Sequence, residues 1–181
     1  GASTISDLSD HLMDAMERRM DEAFEMVLES DVEVIWQPDN ITSDLTPPDA
    51  FKKYCVPFYE KRVDWAKQAG KPYIIHMDGR VKALAELIDK VDFDAIESLS
   101  LPQIGGDLTL TEARQAFPGK VVLPNFPANL CIESLTEIEK FLHDLLQEAG
   151  TEVPFMLQVS EDLPLDQWQR VLPIICRVVN G

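Results

Sequence analysis

The chain has 181 residues and a formal net charge of −16, with 45% of its residues hydrophobic and 27% charged. That length suits a single domain with a sizeable core, and the acidic field excludes phosphate backbones and anionic membrane surfaces as natural partners. Three widely spaced cysteines (Cys55, Cys131, Cys176), no apolar stretch long enough to span a bilayer and no signal-peptide pattern at the start predict a reduced, cytoplasmic protein.

From about Ser9 to Ser30, Leu12, Met13, Met16, Met20, Ala23, Phe24, Val27 and Leu28 fall on one helical face, and charged residues fall mostly on the other. The methionines read as core rather than as a metal or cofactor box. Val32 to Trp36 reads as a short buried strand, followed by the polar loop Gln37-Pro38-Asp39-Asn40. Pro47-Pro48-Asp49 starts a helical region that Pro57 is expected to break in two, with Phe51, Tyr54, Cys55, Phe58, Arg62, Trp65, Ala66 and Ala69 inward. Tyr73 to Ile75 is the second strand, and a helix from Arg80 to Lys90 follows with Val81, Leu84, Leu87 and Ile88 inward. Asp94 to Glu97 is the third strand. The loop Leu101 to Asp107 contains Gly105-Gly106, and Thr109 with Glu112 has the spacing of a capping box.

Lys120 to Leu123 is the fourth strand, ending in Pro124-Asn125-Phe126-Pro127. Thr136 with Glu139 reads as a second capping box, opening an amphipathic helix with Ile138, Phe141, Leu142, Leu145, Leu146 and Ala149 inward. Pro154 to Val159 is the fifth strand, ending in Ser160-Glu161-Asp162, and a last helix from about Asp166 to Val179 is bent at Pro173. Strands alternating with amphipathic helices predict an α/β fold of parallel βα units, with the five strands adjacent in chain order.

The stretch Lys71-Pro72-Tyr73-Ile74-Ile75-His76-Met77-Asp78-Gly79 concentrates the chemistry. A buried strand that ends in a histidine and a carboxylate places polar groups at its carboxyl edge, where ligands bind in parallel α/β folds. Reading only strand ends gives Asp39, His76, Asp78, Glu97, Asn125 and Glu161. Each has an ordinary explanation: Asp39 and Asn125 as turn residues, Asp78 as a helix cap, Glu97 and Glu161 as solvated ends. Together they form the pattern of a catalytic rim. His11 and His143 lie in helical patterns and are expected at the surface, and Gly105-Gly106 lacks the spacing of a phosphate cradle.

Several motifs then resemble a known family. Asp39, Thr46-Pro47-Pro48-Asp49-Ala50-Phe51, Val56-Pro57-Phe58-Tyr59, Gly70 through His76, Asp94-Ala95-Ile96-Glu97-Ser98 and Gly105-Gly106 look like the carboxyl-terminal part of the uroporphyrinogen decarboxylase superfamily. That superfamily includes corrinoid-dependent methyltransferases acting on methanol, methylamines, methyl halides or aryl methyl ethers. The resemblance implies a TIM (β/α)8-type barrel, partial here, with residues 1–181 as a single domain lacking the amino-terminal strands. A whole barrel needs about 250 residues and eight strands, so the chain is either part of a longer protein or a half-size relative. Open sheet edges predict self-association into a homo-oligomer.

The resemblance further implies catalytic roles for Asp39, His76, Glu97 and Asn125, and cofactor-binding positions at Gly105 and Gly106. It implies methyl transfer between a small-molecule substrate or thiol and a corrinoid held by a partner protein. The methyltransferase branch carries a zinc site of the form His-x-Cys with a later Cys. Here His76 matches the histidine, while Asp78 and Glu161 stand where the cysteines would be. The metal set His76, Asp78 and Glu161 is therefore expected to hold zinc weakly or not at all, with any affinity shifted toward manganese or magnesium. Two other readings stay open. One is porphyrinogen decarboxylation, which needs arginine partners for carboxylates and finds only Arg80 beside a strand end. The other is a non-catalytic assembly module.

Overall fold

The computed structural model describes residues 5–152, 155–159 and 163–180. Helix α1 (Ile5–Glu29) leads into strand β1 (Ile35–Gln37). A long helical run follows as α2 (Pro48–Ala50), a π-helical turn over Phe51–Cys55, and α3 (Val56–Gln68). Then come β2 (Tyr73–His76), a 3-10 turn at Lys82–Leu84, α4 (Ala85–Lys90), β3 (Ala95–Leu99), α5 (Leu110–Ala116), β4 (Val121–Pro124), α6 (Leu135–Ala149) and α7 (Trp168–Val179). The four strands form one parallel sheet in the order β1-β2-β3-β4. This is the alternating βα architecture of a partial TIM-type barrel. No helix among the described residues is long and apolar enough to cross a membrane.

Register divides the sheet into two faces, because side chains alternate along each strand. Gln37, Ile75, Ile96 and Val122 are paired across it and point one way, together with the Ile35–Tyr73 pair. This face packs under the helices: Ile35, Tyr73, Ile75, Ile96 and Val122 all belong to the main core with Phe51, Val63, Leu84 and Ile88. The other face carries two rows. One runs Trp36, Ile74, Ala95, Val121, and the next runs His76, Glu97, Leu123. Trp36 is 51% exposed and Val121 40%, so this face is partly open. A second, smaller core joins Phe126, Cys131, Ile138 and Leu142 to Val171, Ile174 and Ile175 of α7.

Five expectations from the sequence change. The fifth strand, Pro154 to Val159, is reduced among its described residues to a single parallel bridge of Gln158 with Asn125, supported by Phe126 N–H to Gln158 O at 2.6 Å and Gln158 N–H to Pro124 O at 3.0 Å. The methionines of α1 are not core: Met13, Met16 and Met20 are 42%, 54% and 38% exposed, and the helix is buried only from Phe24 onward. Pro57 does not break its helix. It lies where the continuous run passes from π to α pairing, so the missing N–H falls at an irregular turn that already departs from the regular ladder. The strand Val32 to Trp36 is shorter and later, because Val32 and Val34 are exposed.

The second capping box also moves. Ser134, extended at φ −66° and ψ 153°, accepts from the Glu137 amide, and Glu137 returns a carboxylate to Ser134 N–H, so the helix starts one step before Thr136. The first box stands where expected, on Thr109 and Glu112. His11 and His143 are exposed.

Candidate active site

The carboxyl end of β2 brings His76 level with Glu97 on β3. His76 Nδ1 lies 2.6 Å from Glu97 Oε2, and the same oxygen accepts a 2.7 Å hydrogen bond from the indole Nε1 of Trp36. The rings of Trp36 and His76 meet edge to face, with centroids 5.9 Å apart. Glu97 is only 4% exposed, and its second oxygen, Oε1, is buried without a hydrogen-bond partner among the described residues. A carboxylate in this position costs free energy to bury unless charge or hydrogen bonds compensate it. An imidazole and an indole N–H, both on one oxygen, supply that compensation and fix the ring of His76 in one orientation.

The backbone that aims Glu97 is irregular. Glu97 pairs with Leu123 but Leu99 pairs with Pro124, so Ser98 is an extra residue, a β-bulge. Ser98 has φ +64°, a left-handed conformation uncommon for a serine, and is 1% exposed. Bulges and such strained residues concentrate beside functional sites, because they re-aim side chains at a strand end. Glycine supports the loop above. A Cβ on Gly106 would lie 1.8 Å from Ser100 O, so only glycine lets the Gly105–Gly106 turn close onto the end of β3. That close approach accounts for the second glycine of the pair without a ligand. Asp107, which the sequence reading passed over, accepts from the amides of Val81 and Lys82 at 2.9 and 3.0 Å and ties the 3-10 turn after β2 to this loop.

The rim residues expected from the sequence do not all meet. His76 and Glu97 are in contact. Asp78 is partly buried two residues beyond His76, past the end of β2. Asn125 is fully buried just after β4, where its backbone N–H donates to Leu99 O at 3.0 Å. Asp39 belongs to a separate cluster on the helix side of the sheet: its carboxylate accepts from Gln37 Nε2 at 3.0 Å and from the Tyr59 hydroxyl at 2.8 Å, and Tyr73 OH donates to Gln37 Oε1 at 3.2 Å. Burial, followed by the charge of Asp39, raises the pKa of both tyrosines above the ordinary phenol value and pushes the Cys55 thiol up to about 11.

Glu161 lies outside the described residues. Among the described residues, no three His, Cys, Asp or Glu side chains stand close enough together to hold a metal ion. His76 directs Nδ1 at Glu97 and leaves Nε2 as the ring nitrogen that could ligate a metal, while Asp78 puts a carboxylate where the zinc site implied by the resemblance has a thiolate.

Trp36 and Gln37 were the site residues the sequence reading missed. Their signal was present: an indole N–H at a strand's carboxyl end rarely goes unpaired when half-buried.

The uroporphyrinogen decarboxylase (URO-D) family model matches residues 4–167. The chain belongs to the uroporphyrinogen decarboxylase family. No curated protein matches the chain. Among solved structures, it resembles a methyltransferase from Methanosarcina mazei with a TM-score of 0.63 and 17% identity, over 92% of this chain and 50% of that one. The URO-D chain thus shares a fold with that methyltransferase and spans half of its length.

Proposed function

We propose that this URO-D domain moves a methyl group between a small substrate or thiol and a corrinoid carried by a partner protein. The observation that carries the reading is the His76–Glu97 pair, 2.6 Å apart on the partly open face of the sheet. When a methyl group leaves oxygen or nitrogen, the electron pair of the broken bond stays on that heteroatom, which must then take a proton. An imidazole held by a buried carboxylate on Nδ1 presents Nε2 for that transfer, and in the reverse direction Nε2 accepts the proton of a thiol. Trp36 is a positioning residue, holding the Glu97 oxygen that orients His76.

The corrinoid supplies the metal centre that receives or donates the methyl group. Its ring would rest on the apolar row that includes Trp36, Ile74 and Val121, beside His76. The likeness to the methanosarcinal methyltransferase supports the same reading at the level of fold. Porphyrinogen decarboxylation has less support. Arg80 is exposed and its nearest anion is Asp44 at 3.8 Å, while Arg62 is buried against Asp21, so neither is a free anchor for propionates at this rim.

The test is corrinoid absorbance during incubation with reduced corrinoid and a panel of methylated alcohols, amines, ethers and thiols. The wild-type chain should turn over at least one donor, and His76→Ala should lose about 10²–10⁴-fold in rate with its fold intact. Turnover unchanged in His76→Ala removes the assignment. So does a protein that neither binds a corrinoid nor turns over any donor; that result favours an assembly role.

A further inference from the structure

A cleft lies on the helix side of the sheet, away from His76, and what it binds does not depend on the methyl-transfer reading. Its walls are α1 and the start of α3, and its volume is about 490 Å³. The two helices are tied there by ion pairs: Asp10 to Lys53 at 3.3 Å, Glu17 to Lys61 at 3.1 Å and Asp21 to Arg62 at 2.9 Å. Apolar packing of α1 starts only at Phe24, so the turns before it stand off and leave a hollow. Met13, Met16, Met20 and Phe58 line it, and Gln37 and Asp39 lie at the end of β1 on its floor.

The charge of Asp39 decides what such a hollow takes. Its two hydrogen-bond donors, the Gln37 amide and the Tyr59 hydroxyl, are neutral. Among the described residues no Lys, Arg or His forms an ion pair with it, and Lys53, the cation nearest the cleft, is taken by Asp10 and the Tyr54 hydroxyl. The negative charge is felt across the cluster, since it helps raise the pKa of Cys55, Tyr59 and Tyr73. An anion entering the cleft meets Asp39 together with Asp10, Asp14 and Glu17. A neutral molecule adds no charge to the two neutral hydrogen bonds and the attraction of the unbonded Arg62 that Asp39 already has. A cation with an apolar body satisfies both the carboxylate and the methionine wall. The volume lies in the usual range for small-molecule sites, about 300–1,000 Å³.

We propose that the cleft between α1 and α3 binds a small amphipathic ammonium ion, with its charge against Asp39 and its hydrocarbon along Met13, Met16, Met20 and Phe58. The flexible thioethers suit an apolar chain of variable shape.

The test titrates n-hexylammonium, at physiological salt, into the full chain labelled with ¹³C at its methionine methyl groups. The signals of Met13, Met16 and Met20 should shift and saturate, while those of Met77 and Met156 stay in place. The isosteric 1-hexanol and hexanoate should bind at least about tenfold more weakly. Asp39→Asn should weaken hexylammonium about tenfold and remove its advantage over hexanol. Met16→Lys, at a position 54% exposed and therefore harmless to the fold, should weaken it similarly by placing a cation in the cleft.

Shifts that do not saturate, or that reach Met156 equally, would mean an acidic surface attracting cations in general and would overturn the proposal. Equal affinity for hexanol, or undiminished binding in Met16→Lys, would overturn it as well. If Asp39→Asn does not fold, the hexanol comparison and Met16→Lys decide alone. His76→Ala should bind hexylammonium like the wild type, which separates this site from the proposed methyl-transfer site whichever of the two fails.

Discussion

The two faces of this four-stranded sheet solve different problems. On the helix side, Tyr73, Ile75, Ile96 and Val122 are at most 3% exposed, and polar groups that enter this layer are paired for packing. Arg62 is the clearest case. Its side chain is 0% exposed, bonded to Asp21 at 2.9 Å, and stacked on Phe58 with its guanidinium 3.5 Å from the ring centroid. On the other side, at the same height along the strands, Trp36 and Val121 are open and the buried carboxylate Glu97 keeps one oxygen without a partner. Among the described residues each of these buried charges keeps one atom without a hydrogen-bond partner, Arg62 Nε and Glu97 Oε1, so the difference lies in what each is paired with. A charge held by a permanent opposite charge and stacked on a ring reads as architecture; one held by an imidazole beside an open face reads as chemistry.

The largest effect that tests this contrast falls on Arg62. Asp21→Ala leaves the guanidinium buried and unpaired and should cost about 3–5 kcal/mol in urea unfolding. Arg62→Met should cost clearly less, because Asp21 is 20% exposed and keeps Lys61 as a partner. If the two variants unfold at the same urea concentration, Arg62 is not a structural charge and the contrast loses its first half.

Two neighbours in β2 give the next test. Ile75 is 0% exposed on the helix side, while Ile74 lies in the open row and is only partly buried. Ile75→Ala should cost about 2–5 kcal/mol through lost burial and the cavity left behind. Ile74→Ala should cost about 1 kcal/mol or less. Equal costs would show that the open face is closed in solution, by another chain or by a segment beyond those described, and equilibrium unfolding at several protein concentrations would tell whether that partner is a second copy.

Much of this was legible from residue order. Short apolar runs bounded by Gly, Pro and Asp located β2, β3 and β4 to within a residue or two at most of their ends, because each of these strands buries most of its residues even where one face of the sheet is partly open. β1 was harder. As an edge strand it buries Ile35 and Gln37 and exposes Val34 and Trp36, so its apolar run overstates its burial. The apolar face of α1 was visible, but periodicity reports which side of a helix is apolar, not whether anything covers it. At α6 the sequence offers two overlapping boxes, Ser134 with Glu137 and Thr136 with Glu139, and spacing alone cannot rank them.

The site divides in the same way. His76 was found because it ends β2; Glu97 was read as the end of its strand, although β3 runs on past it through the bulge at Ser98 to Leu99. Asp39 was placed with them on the same argument, although its chain turns after Gln37 toward Tyr59 and away from the His76 row. A strand-end position specifies height along the sheet, whereas the face depends on one residue of register.

The smallest expected effect is also the sharpest, and it concerns Glu97. If its carboxylate were there for stability, neutralising it would cost several kcal/mol, as expected at Asp21. Glu97→Gln keeps an oxygen that accepts from Trp36 Nε1 and changes the volume little, while removing a charge whose Oε1 has no partner. Two terms then oppose each other: the weakened interaction with His76, and the relief from burying a carboxylate at 4% exposure. They should nearly cancel, leaving the stability within about 1 kcal/mol of the wild type, either way. Methyl transfer should fall in the same variant, because a neutral amide oxygen holds the ring of His76 less firmly than a carboxylate and does not stabilise its charged form. A protein destabilised by several kcal/mol in Glu97→Gln would mark Glu97 as a structural residue like Asp21, and the difference between the two faces would be one of exposure alone.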